Sequence, residues 1–109
     1  SLPMPFTREI FLLECHIAGT SFRPKLAEIE PNLPVGAKFS LQREPQNEFD
    51  EWAVAVYDSE KNHLGYLPKS KNEIPARLLD AGKNLSARLT AKEWNDTWLK
   101  LDIEIFLND

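Results

Sequence analysis

Hydrophobic and polar positions alternate most clearly in the C-terminal quarter. Leu85, Ala87, Leu89 and Ala91 alternate with Ser86, Arg88, Thr90 and Lys92; Leu99, Leu101, Ile103, Ile105 and Leu107 alternate with Lys100, Asp102, Glu104 and Phe106. A period of two is that of a strand with one buried face. Trp94-Asn95-Asp96-Thr97 between the two runs predicts a hairpin. Residues 9–18 predict an earlier strand with Phe11, Leu13, Cys15 and Ile17 on one face, after which Gly19 permits a bend. Ala37, Phe39 and Leu41 alternate with Lys38, Ser40 and Gln42 over 37–43, and 53–58 and 63–67 are compact apolar runs. Those three read as antiparallel neighbours in a meander.

Helical signals are few. Leu26 and Ile29 suit one side of a short helical turn within 25–32. Ser70 and Glu73 have capping-box spacing, but Pro75 would then lie too deep, so a helix starting at Asn72 or later is expected. Ile74, Leu78 and Ala81 would share its side, and Gly82 would stop it. Six short strands with one α-helix between strands 4 and 5 predict a mainly β fold, a small OB-like or SH3-like barrel. Pro3 and Pro5 mark residues 1–8 as a flexible arm, leaving 9–109 as a single barrel domain.

The stretch between the strands at 37–43 and 53–58 is unusual. Arg43 to Ala53 reads R-E-P-Q-N-E-F-D-E-W-A, with four carboxylates (Glu44, Glu48, Asp50, Glu51) and two large aromatics, Phe49 and Trp52. Pro45 fixes its own φ, and Asn47 and Asp50 can bond nearby backbone and hold a loop in one shape. Such a loop either tucks its aromatics onto the core or carries binding residues on a rigid scaffold.

Composition narrows the chemistry. With 109 residues, 42% hydrophobic and 28% charged, the chain can bury one modest core. No apolar run reaches the roughly 20 residues of a membrane helix. The start S-L-P-M-P-F lacks the pattern of a secretory leader, so a cytoplasmic location and no membrane contact are expected. Cys15 is the single cysteine and reads as a small core residue; His16 beside it would point to the opposite face of a strand. Two histidines without ligand spacing give no support for a metal, and neither a phosphate-cradling glycine loop nor a nucleophile elbow is present. Catalysis and cofactors are therefore not expected.

The net charge of −4 excludes coating nucleic acid by bulk charge. The distribution is uneven: Lys61, Lys69, Lys71 and Arg77 dominate 61–80, whereas 36–60 holds six acidic side chains against Lys38 and Arg43. Phe22, Phe49 and Tyr66 all fall at strand ends or connections. Aromatic faces stack on unpaired bases at roughly 1–3 kcal/mol per base. Arg23 and Lys69 suit phosphate contacts, whereas Asp50 and Asn47 suit a hydroxyl such as a sugar 3′-OH. Phe22 beside Arg23 equally suits core packing with a solvated charge.

Four ordered segments resemble the HIRAN domain of some helicases and stand-alone bacterial proteins. They are A-G-T-S-F-R-P at 18–24, L-Q-R-E-P-Q-N-E-F-D-E-W-A-V-A-V-Y at 41–57, L-G-Y-L-P-K at 64–69 and I-P-A-R-L-L-D-A-G at 74–82. The resemblance implies an OB-like barrel that binds single-stranded DNA at its 3′ end, in a DNA-repair setting, with a helicase or nuclease as a possible partner protein. By that resemblance Phe22 and Phe49 would stack on terminal bases and Asp50, helped by Asn47, would receive the 3′-hydroxyl. Lys69, with Arg23, would face phosphate, and Tyr66 would line the pocket. Phe49 stands where the family often has tyrosine, Ser21 where it can have arginine, and Trp52 where asparagine is common. A protein-interaction barrel holding a peptide in the same aromatic groove, or a carbohydrate-binding barrel, also fits these residue types.

Overall fold

The computed structural model describes residues 9–20 and 25–108. The arm expected over residues 1–8 lies outside them, as do Phe22 and Arg23. Six strands form one antiparallel sheet: β1 (Glu9–His16), β2 (Lys38–Arg43), β3 (Val54–Tyr57), β4 (His63–Tyr66), β5 (Asn84–Asn95) and β6 (Trp98–Asn108), in spatial order β1-β6-β5-β2-β3-β4. A short α1 (Leu26–Ile29) runs into a 3₁₀ turn, Glu30–Asn32, and α2 (Glu73–Asp80) lies between β4 and β5. The expected mainly β, OB-like fold is the observed one.

The sheet curls until its two ends meet, among the described residues, in one isolated bridge. Beyond β1, the Ala18 N–H donates to the Tyr66 carbonyl at 2.7 Å, and the Tyr66 N–H donates back to Ala18 at 2.9 Å. Gly65 permits this contact, since a Cβ there would stand 2.4 Å from the Ala18 carbonyl oxygen and 2.6 Å from Ile17 Cγ2. Elsewhere, among the described residues, β1 has a strand neighbour on one side only, so the barrel they form is partly open. Its interior is filled by Ile17, Val54, Val56, Leu64, Leu101, Ile103 and Ile105, all fully buried.

Three local expectations need correction. Phe11 does not share the inward face with Leu13, Cys15 and Ile17. A bulge between Phe11 and Leu13 shifts the register, and in a period-two element one extra residue turns the side chain over. Phe11 instead sits half exposed, edge-on to Phe106 at 6.0 Å. That contact, with Arg88 over the other ring at 4.9 Å, covers the outward Phe106.

In α2 the buried residues are Pro75 and Ala76, with Leu79 packed against the core, while Ile74 is exposed. The inward stripe is therefore Asn72, Pro75, Ala76 and Leu79, one helical period from the buried Asn72. The start after Asn72 and the stop at Gly82 agree with expectation. Gly82 adopts φ +84, its N–H reaches the Leu79 carbonyl, and the Lys83 N–H reaches Leu78, the paired bonds of a Schellman ending.

The β5–β6 hairpin turns more tightly than the expected four residues. Pairing continues to Asn95 opposite Trp98, leaving Asp96, at φ +58, and Thr97 as the turn. The far end is braced by Glu30. Its carboxylate accepts from Lys92 Nζ at 2.6 Å and Trp94 Nε1 at 3.0 Å, which holds its pKa below the usual carboxylate value.

Candidate nucleic-acid interface

Residues 44–53 connect β2 to β3 as a loop shaped by its own short polar side chains. Asn47 Oδ1 accepts the N–H groups of Phe49 (2.8 Å) and Asp50 (3.1 Å), and Asp50 Oδ1 accepts the Trp52 N–H (2.9 Å). Arg43 clamps the loop's base. Its guanidinium donates to the carbonyls of Ala53 (3.0 Å) and Glu51 (2.6 Å) and to Asp80 at the end of α2 (3.0 Å). The guanidinium groups of Arg43 and Arg77 lie over the Trp52 ring, 5.6 and 4.6 Å from its centre. This tryptophan is half buried as packing, away from the hollow described next.

Three side-chain bonds latch the loop to the segment running from β4 to α2. Tyr66 Oη donates to Glu44 Oε1 (3.0 Å), which also accepts Asn47 Nδ2 (3.1 Å). Lys69 Nζ donates to the Phe49 carbonyl (2.9 Å), and Asn72 Nδ2 donates to Asp50 Oδ2 (2.6 Å). Between the loop and this segment lies a hollow of about 690 Å³ lined by Ala18, Gly19, Asn47, Phe49, Asp50, Ala53, Tyr66, Leu67 and Lys69. Its lining is mainly apolar, with a carboxylate and an ammonium at the rim, the composition of an organic ligand's site.

Five residues singled out from the sequence thus converge: Asn47, Phe49, Asp50, Tyr66 and Lys69. Phe49 is 82% exposed, an orientation that packing on the core does not explain. Asn47, by contrast, is engaged at both ends of its amide inside the loop, so it shapes the site. Phe22 and Arg23 lie outside the described residues; Ala18 and Gly19, shortly before them, form part of the wall. Sequence reasoning did not single out Glu44 or Asn72. In the sequence Glu44 reads only as charge, and Asn72 only as a helix boundary.

A second hollow of about 680 Å³ lies between β1 and α2, against Phe11, Leu13, Glu14, Ser70, Lys71, Glu73 and Ile74. It offers two carboxylates and one ammonium, and the ammonium, Lys71 Nζ, donates to the Glu14 carbonyl at 3.0 Å. Among the described residues no three His, Cys, Asp or Glu side chains gather as metal ligands, and no helix is long and apolar enough to cross a membrane. Burial pushes the Cys15 thiol up to about 11, with nearby Lys71 opposing and Asp102 adding to the shift.

Compared with known families, residues 10–108 match the model of the HIRAN domain. The chain belongs to the HIRAN domain family. No curated protein matches it. Among solved structures, this HIRAN domain superposes on a crystal structure of a protein from Lactobacillus plantarum with a TM-score of 0.87 and 23% identity, covering 95% of this chain and 99% of the other. It is also similar to the crystal structure of the HIRAN domain of human HLTF, with a TM-score of 0.71 and 18% identity over 91% and 78% of the two chains. The NMR structure of the HLTF HIRAN domain in its DNA-bound conformation gives 0.62 and 17% over 92% and 78%. At these identities the likeness carries the fold.

Proposed function

We propose that this HIRAN domain is a non-catalytic module that captures the 3′ end of single-stranded DNA in the hollow between the 44–53 loop and the β4–α2 segment. The observation that carries the reading is Phe49, held 82% exposed at the rim of a hollow it shares with Asp50, Tyr66 and Lys69. The DNA-bound conformation recorded for the HLTF HIRAN domain, whose fold this chain shares, supports it.

Phe49 stacks on a terminal base, with Phe22 as the second ring, and Lys69 and Arg23 meet phosphate. An ammonium has three donors, of which Lys69 gives one to the Phe49 carbonyl. Asp50 receives the 3′-hydroxyl. Each of its oxygens already accepts one hydrogen bond and retains a lone pair for a second. The same carboxylate disfavours a phosphate at that position. Two unit charges 4 Å apart repel by about 4 kcal/mol at an effective dielectric constant of 20, and a half-exposed site retains only part of that.

Fluorescence anisotropy with a short oligonucleotide tests this. A strand with a free 3′-hydroxyl should bind at least about tenfold tighter than the same strand ending in a 3′-phosphate. Affinity should also fall steeply as salt rises. Equal binding of both ends refutes the Asp50 role. Affinity for DNA that does not change with salt would point instead to a peptide occupant of the aromatic groove.

A further inference from the structure

Asn72 stands at the N-cap of α2, where an asparagine side chain ordinarily accepts a hydrogen bond from the first turn of its own helix. It makes no such bond here. Its side chain turns across to the 44–53 loop, and Nδ2 donates to Asp50 Oδ2 at 2.6 Å. Asn72 is also 1% exposed, one of very few polar side chains buried among the described residues. A favourable local bond is forgone for a distant one, and the distant partner is the acid at the rim of the hollow.

We propose that Asn72 is a positioning residue that sets the plane of the Asp50 carboxylate and so determines the domain's discrimination between a 3′-hydroxyl and a 3′-phosphate. The inference rests on the reading of the hollow as a 3′-end site. A carboxylate is planar and turns easily about its last bond. The Trp52 N–H at 2.9 Å holds Oδ1 and the Asn72 amide holds Oδ2, so two donors on two oxygens stop that rotation. The lone pairs left over then point in set directions, one of them available to a hydroxyl.

At 1% exposure, water cannot readily replace the Asn72 donor. The inward stripe of α2 starts at this residue, with Pro75 and Ala76 buried behind it, so the amide is carried on a rigid element. Removing the amide leaves Asp50 held at Oδ1 alone, so the plane of its carboxylate is no longer fixed. Hydroxyl recognition should then suffer far more than stacking on Phe49.

The test measures the affinity of Asn72→Ala and Asn72→Leu for a short single strand ending in a 3′-hydroxyl and for the same strand ending in a 3′-phosphate. The Leu variant is similar in volume, carries no charge and no donor, and serves if the Ala variant does not fold, which circular dichroism shows directly. Asn62→Ala is the comparator. That amide also donates to a carboxylate, Asp58 Oδ2 at 2.9 Å, but in the β3–β4 turn. Both Asn72 variants should bind the 3′-hydroxyl strand about tenfold more weakly, with less than about a twofold change for the 3′-phosphate strand. Asn62→Ala should lower the melting temperature and leave the ratio of the two affinities as in the wild type.

The inference is overturned if both Asn72 variants keep the wild-type ratio while Asp50→Ala abolishes it. If Asp50→Ala also keeps the ratio, the 3′-hydroxyl reading itself falls, and this inference falls with it.

Discussion

Replacing Gly65 by alanine should open the barrel at the bridge between Ala18 and Tyr66. The added methyl carbon would lie 2.4 Å from the Ala18 carbonyl oxygen and 2.6 Å from Ile17 Cγ2, far inside ordinary contact distance. Neither neighbour can yield cheaply. One is backbone, and the other belongs to a fully buried side chain. The 17–18 segment must move outward, breaking the hydrogen bonds of 2.7 and 2.9 Å between Ala18 and Tyr66. Each backbone bond contributes about 0.5–1.5 kcal/mol net, and overpacking adds about 1–3 kcal/mol, so a loss of about 3 kcal/mol is expected. For a domain of this size that corresponds to a fall in Tm of roughly 12 °C. Gly36, at φ +97 with nothing within 4 Å of an added Cβ, is the control. Its alanine variant bears only the conformational cost of about 1–2 kcal/mol. Thermal denaturation followed by circular dichroism measures both. A Gly65→Ala protein melting no lower than Gly36→Ala would refute the account of how the sheet closes. Because Ala18 and Gly19 wall the hollow, DNA affinity should fall along with stability.

Phe49→Ala should weaken single-strand binding by about tenfold or more, the value of one stacked base, while an 82% exposed ring leaves Tm almost unchanged. Titration paired with a melting curve checks both halves. Cys15 should react with iodoacetamide at pH 8 roughly a hundredfold more slowly in the native protein than in urea, because burial pushes its pKa up to about 11. The same shift is a stability statement. A thiol whose folded pKa is raised contributes fully below its ordinary pKa of 9.0, and that contribution is lost as pH rises from there through about 11. A urea series from pH 8 to pH 11 should therefore show declining stability, and Cys15→Ser should flatten the trend.

The strands were legible because period-two alternation is a local signal. Leu99 to Ile105 needed only their own neighbours to be read. What escaped was set by contacts between distant residues. The bulge that turns Phe11 outward is a property of the β1–β6 pairing, and nothing in Glu9–His16 alone announces it. The face of α2 was misread because Ile74 and Leu78 are the more hydrophobic residues, whereas the buried Asn72 sets the helix's rotation. The loop residues Asn47, Phe49 and Asp50 stand out in the sequence because turn-forming polar residues lie beside an aromatic between two strands. Their latches, Glu44 to Tyr66 and Asn72 to Asp50, each span 22 residues, and residue type alone does not reveal such pairs.

An ¹H–¹⁵N correlation spectrum, titrated with a short single strand bearing a free 3′-hydroxyl, locates the bound end directly. The amides of Ala18, Gly19, Phe49, Asp50, Tyr66 and Lys69 should shift together and saturate at one affinity. Shifts confined to the far side of the sheet, around Arg88 and Phe106, with the 44–53 loop unmoved, would contradict the assignment of the hollow.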